Sequence, residues 1–284
     1  MNHVAHDWTA EAATLLDDLV DLRRAIHREP ELGLQNPKTL AKIKEALAGL
    51  PLEFREGPST TGLVAILRGP ANGRSVLLRG DMDALPLVED TALDFASQTD
   101  GAMHACGHDT HVAMLVGAAR LLCAARDRLA GTVMFMFQPG EDVHHGARFM
   151  LEDGIIDPLP DAAFALHIMP NAPHGIFAGR AGPLLASSDV LAITVKGHAS
   201  MPQDAIDPIP VACAIVTAIQ TMVTRRISVF DPAVITIAKI AAGTTNNIIP
   251  ETVEMLGTIR TLSPHRRAMV ASELKRLAPA IAEA

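Results

Sequence analysis

Apolar residues recur at helical spacing through residues 11–26, at Ala12, Leu15, Leu16, Leu19, Leu22 and Ile26, which predicts a helix that stops before Pro30. A second helix is predicted after Pro37, followed by strand-like apolar runs at 62–67 and 75–79, the latter leading into Gly80-Asp81-Met82-Asp83. Residues 111–129 read as a helix with Asp109 as N-cap and Val112, Leu115, Val116, Ala119, Leu122 and Cys123 on one face. Residues 132–138 (TVMFMFQ) are continuously apolar and are stopped by Pro139-Gly140. A run without polar alternation suits a parallel strand covered on both faces, and 161–167 (DAAFALH) is similar. Strands alternating with helices predict an α/β domain with a mostly parallel sheet, in which ligands bind beyond the carboxyl ends of the strands.

The pattern changes near residues 182–188. Residues 191–196 alternate, 208–224 read as a helix, 233–240 and 252–260 as strands, and a closing helix starts at Pro264. This β-α-β-β order is most of a small α+β sandwich. The boundary is placed near Pro183, giving domains at 1–184 and 185–284.

Composition narrows the classes. With 284 residues, 49% of them hydrophobic, the chain can bury a sizeable core, and at roughly 100–200 residues per domain two domains are favoured. There are 24 Lys+Arg against 32 Asp+Glu, no basic run, 3% aromatic residues and no Tyr. Nucleic acid is therefore excluded as a partner, because neither a phosphate-neutralising patch nor a base-stacking surface is present. Residues 1–11 carry His, Asp and Trp where a signal peptide needs a positive start and an apolar run, and no stretch offers the roughly 18 uncharged apolar residues of a membrane span. A soluble cytoplasmic protein with no membrane partner is expected. Cys106, Cys123 and Cys213 are too few for a disulfide framework and fit a reducing compartment.

Three constellations carry chemistry. Met103-His104-Ala105-Cys106-Gly107-His108-Asp109-Thr110-His111 precedes a helix, and Cys106 and His108, two apart on a loop, can face one metal; the alternative is a His-rich helix start. His104 and His111 read as supporting residues. Gln138-Pro139-Gly140-Glu141-Asp142 places two acids where the apolar strand stops. They are either a solvated turn or a pair in which one holds an ion and the other takes a proton from water. His167 ends a further apolar strand, as a satisfied edge residue or as a ligand. Convergence favours the ligand reading: Asp81/Asp83, Glu141/Asp142 and His167 each end a predicted strand, and in a parallel sheet those ends share one edge.

The stretches RGDMDALP (79–86), MHACGHDTH (103–111), FQPGED (137–142) and ALHIMPNAPHG (165–175) resemble the M20 metallopeptidase family, in its subgroup of hippurate hydrolases and other N-acyl-amino-acid amidohydrolases. The likeness is nearly continuous from His27 to Arg260 and includes AGTTNNIIPETVEMLGTIRT (242–261). It implies a zinc-peptidase-like catalytic domain with an inserted α+β, ferredoxin-like lid and dimerisation domain. It also implies two divalent metal ions (Zn, Mn, Co or Ni), bridged by Cys106 and further held by His108, Asp142 and His167. Glu141 is implied as general base and acid, taking a proton from the attacking water and passing it to the leaving nitrogen. Asp83 would orient a group that touches metal. His198 and Asn247 would contact a small N-acyl amino acid substrate, His198 reaching the partner subunit's site in a homodimer.

The chain departs from the family's pattern in three ways. Asp142 stands where a second Glu is usual, and the glycine-rich turn before His198 is shortened to Val195-Lys196-Gly197. Family members continue well beyond the position of Ala284 and supply a further metal-binding histidine, so the resemblance expects a C-terminally truncated chain with both domains incomplete. Two other readings are carried forward: a deacetylase of a small metabolite such as an N-acetylated diamino acid, and a catalytically inactive metal-binding or dimerising protein. A zinc finger is rejected, because Cys106 has no companion cysteine at close spacing and Cys123 and Cys213 lie on apolar helical stretches.

Overall fold

The apolar run at 132–138 becomes strand β4 (Ala130–Gln138), and its position explains why polar alternation is missing. A computed structural model describes residues 7–142, 144–201 and 203–284; part of the stretch read for a signal peptide, and Pro202 of the stretch Gly197-His198-Ala199-Ser200-Met201-Pro202, lie outside the described residues. The first sheet has the order β1-β2-β4-β3-β5, with β1 (Glu53–Glu56), β2 (Leu63–Arg68), β3 (Ala71–Asp81) and β5 (Ala162–Ala165). Val133, Phe135 and Phe137 of β4 point into a core shared with α2 (Leu16–Arg28), α3 (Pro37–Ala46) and α4 (His108–Ala124). Met134 and Met136 point the other way, against Met150 of α5 (Gly146–Glu152) and Ile155 and Ile156. A strand covered by helices on both faces has no side to spare for polar residues.

The sheet is mixed rather than mostly parallel. β3 runs parallel to β4 and β5, but β2 is antiparallel to both β1 and β4. Only Gly69 and Pro70 join β2 to β3, and β4 lies between them; its start passes so close that a Cβ on Gly131, at φ +92°, would meet the Arg74 carbonyl oxygen at 1.9 Å. Strand β5 is shorter than the reading of 161–167 and is exposed along its length, because it forms an edge of the described sheet. The helix expected over 11–26 is divided by a turn at Leu15 into α1 (Trp8–Thr14) and α2.

The described chain falls into two compact units, dividing after Pro173. The expected boundary near Pro183 lies further along the same connection, which has no regular element between β5 and β6. Unit 2 has the order β6 (Ser187–Lys196), α6 (Pro208–Arg226), β7 (Ala233–Ala242), β8 (Thr252–Thr261), α7 (Pro264–Ala282). Its antiparallel sheet β6-β8-β7 shares one core with both helices, built on Ile215 and Ile219, Val253 and Met255, and Val270 and Leu274. Helix α6 is long and apolar enough by composition to cross a bilayer, but Ala212, Ile215, Ile219 and Met222 are buried in this core.

Candidate metal centre

In unit 1 the carboxyl ends of three parallel strands meet. β3 ends at Asp81, β4 ends beside it at its register partner Gln138, and two residues beyond β5 comes His167. The loop 103–107 brings Cys106 to the same edge and feeds α4. Gly107 caps that helix in the left-handed region at φ +82°, a conformation glycine adopts at little cost. The helix therefore starts at His108. Asp109, expected as the N-cap, turns inward to pair with Arg23 at 2.6 Å and His27 at 2.7 Å.

Four of the predicted metal residues and Asp83 are drawn together. The donor atoms of Cys106, His108 and His167 lie within 4.8 Å of one another, as do those of Asp83, His108 and Asp142, and of Asp81, His108 and His111. Cys106 Sγ is 3.3 Å from His167 Nε2. Glu141 Oε2 is 3.9 Å from His108 Nε2, and its backbone N–H donates to Asp83 Oδ1 at 3.0 Å.

The tautomers follow from the partners. His108 Nδ1 is 2.8 Å from the Asp83 carbonyl oxygen, and His167 Nδ1 is 2.7 Å from the Ile168 carbonyl oxygen. A carbonyl only accepts, so each ring carries its proton on Nδ1 and presents Nε2 to the cluster. Among the described residues, His108 Nε2 is buried with no hydrogen-bond partner, 3.5 Å from Asp81 Oδ2. Facing carboxylate oxygens, this nitrogen needs a cation between, a proton on the free ring or a metal ion in its place, so these residues fit a metal ion. Thiolate, imidazole and carboxylate together suit zinc-like divalent ions.

Crowding of like charge is visible in the titration of the same groups. Burial pushes the Cys106 thiol up to about 11, with Asp142, Asp81, Glu141 and Asp83 adding to the shift. Glu141 is raised by burial and by the charges of Asp81 and Asp142. Asp142 is raised by burial, with Asp83 and Asp81 reinforcing it against the pull that His108 exerts when protonated. Asp81 goes the other way: burial opposes its charge, but the His111 hydrogen bond, the charge that His108 carries when protonated and the Arg79 charge outweigh burial and hold it at about 2. A group of acids that resists losing its protons is neutralised by bound cations.

His198 and Asn247 belong to unit 2. His198 is held in a two-residue bridge, exchanging backbone hydrogen bonds with Ile206 at 2.9 and 3.0 Å. Exposed Asn247 accepts from Thr245 Oγ1 at 3.1 Å. Of the residues around the site, Arg79 and Gln138 lie in the quoted motifs but receive no role from the sequence. Arg79 donates from Nε to Gln138 at 2.8 Å and from a terminal nitrogen to Asp81 at 2.6 Å. The period-two spacing of Arg79, Asp81 and Asp83 was the available signal, since alternate strand residues share a face.

Thiol, imidazole and carboxylate groups gathered beyond parallel strand ends define an α/β protein with a candidate metal centre. The profile of peptidase family M20/M25/M40 matches residues 77–281, and the chain belongs to that family. It is accordingly a hydrolase of amide bonds. An N-acetylcysteine deacetylase of Bacillus subtilis is 42% identical over 268 residues, covering 93% of this chain and 70% of the relative. An N-acetyldiaminopimelate deacetylase of Streptococcus sanguinis is 37% identical over 273 residues, covering 94% and 72%. The crystal structure of a dinuclear metal-binding peptidase of the M20 family, also from Bacillus subtilis, superposes with a TM-score of 0.80 at 38% identity, covering 95% of this chain and 71% of that one.

Proposed function

We propose that this protein removes the acyl group from small N-acyl amino acids, acetyl in preference to benzoyl, with two divalent metal ions held by Cys106, His108, Asp142 and His167. The observation that carries the reading is the buried Nε2 of His108, without a hydrogen-bond partner among the described residues and facing carboxylates where a cation belongs. The deacetylase names of the relatives favour the N-acetyl substrate class over a hippurate-like one. When bound, Zn, Mn, Co or Ni would polarise the amide carbonyl and acidify water. Glu141, its side chain 40% exposed and so open to substrate and solvent, takes the proton of the attacking water and delivers it to the leaving nitrogen. Asp83 keeps base and ligand in step, accepting the Glu141 N–H while its own carbonyl fixes the His108 ring. The same reading assigns substrate contacts to His198 and Asn247 and a homodimer through unit 2. It also suits a reducing cytoplasm, where Cys106 stays reduced and free to bind metal as a thiolate.

The test is amine release from matched N-acetyl and N-benzoyl amino acids by the metal-loaded protein, alongside metal analysis. Turnover is expected with the acetyl series ahead, and Glu141→Gln should lower kcat by about 10²–10⁴-fold with metal content unchanged. Bound metal with no turnover across the acyl series would overturn the proposal.

A further inference from the structure

Between the two imidazoles assigned to the metal sits a third. The His111 ring, 2% exposed, stacks on His108 at 5.5 Å and meets His167 edge-on at 4.7 Å. Its Nε2 lies 3.0 Å from the backbone nitrogen of Ile168, whose hydrogen it accepts. An N–H only donates, so Nε2 carries no proton and the ring's hydrogen lies on Nδ1, 2.5 Å from Asp81 Oδ1. Asp81 is itself fixed by Arg79, and Arg79 by Gln138 at the end of β4. Both His111 nitrogens are thus engaged. Unlike His108 and His167, His111 has no lone pair left for an ion.

Ile168 is the far end of this chain of bonds and the near end of another. Its N–H is held by His111, and its carbonyl takes the Nδ1 hydrogen of His167, the bond that orients that ring. Strand β5 stops at Ala165, so no ladder bond fixes the backbone here. The Ile168 side chain is also seated against Gly107, where a Cβ would meet its Cδ1 at 2.1 Å.

The geometry points to His111 as a positioning residue: a neutral imidazole, anchored on Asp81, that fixes Ile168 and so sets the direction in which His167 presents Nε2, without holding metal itself. The effect on ion binding rests on the proposed function; the hold on Ile168 does not.

Two variants separate the bonds. In His111→Gln the side-chain oxygen can stand at the Nε2 position and take the Ile168 N–H; in His111→Asn a donor can remain at the Nδ1 position for Asp81, but the acceptor is out of reach. Amide exchange at Ile168 is measured by NMR on the metal-free protein, and zinc affinity by chelator competition. His111→Asn is expected to speed Ile168 exchange roughly 10-fold, the scale of one hydrogen bond, and to weaken zinc binding by about 10–100-fold. His111→Gln should recover most of both. Unchanged Ile168 exchange in His111→Asn would overturn the inference, as would equal loss of a bound ion in both variants, which would make His111 a ligand. A wild-type protein that binds no zinc would sink the metal reading, while Ile168 exchange would still decide this one.

Discussion

His27 shows how far the polar framework of the site extends from the metal residues. It lies on α2, buried, with Nδ1 2.7 Å from Asp109 and Nε2 3.3 Å from Glu89. The Asp109 bond raises its pKa above the ordinary 6.5, against burial, and Glu89 helps. A histidine whose folded pKa is raised stabilises the fold fully below its unfolded value and loses that contribution as pH climbs through the folded one. Raising the pH upward from 6.5 should therefore destabilise the wild type more than His27→Gln, with urea midpoints as the measure; parallel curves would refute it. His104, read from the motif as supporting, has both ring nitrogens buried and without a partner among the described residues, and burial pushes its pKa down to about 4. That ring is neutral at physiological pH.

At the level of elements, what was legible is what periodicity and punctuation encode. The apolar run ending in Pro139-Gly140 fixed β4 and the place of Glu141 and Asp142, and short motifs fixed Cys106, His108 and His167 as neighbours. Strand direction was not legible: β2 looks like any apolar strand, and nothing in its composition says that it runs against β4 while β3 runs with it. Helix α4 began three residues earlier than expected because the left-handed cap needed glycine at 107, which outweighed the usual preference for Asp. The bonds of Arg79 and His111 are tertiary, joining residues whose proximity only the assembled sheet creates. The elements that do carry the site rest on β4. Phe135 is 0% exposed at the centre of the larger core. Phe135→Ala should cost about 3–5 kcal/mol, read from denaturant unfolding. A loss under ~1 kcal/mol would mean that α4 and β4 are held mainly by something other than this contact.

For the molecule as a whole, every proposed metal residue comes from unit 1, so ion binding and the stability of that unit are linked. A ligand at 100 times its Kd stabilises the state that binds it by about 2.7 kcal/mol. Zinc should slow hydrogen exchange in the elements that end at the site, β3, β4 and the start of α4, and a chelator should reverse the change. Protection confined to β6–β8 would contradict the proposed ligands. The central strand adds a constraint of a different kind. Its side chains alternate between two helical layers, and its last residue, Gln138, lies level with Asp81. Deleting one residue from β4 would exchange what the two layers receive and carry Gln138 away from Arg79 in the same step. Along this strand the protein can change what it is made of but not how long it is.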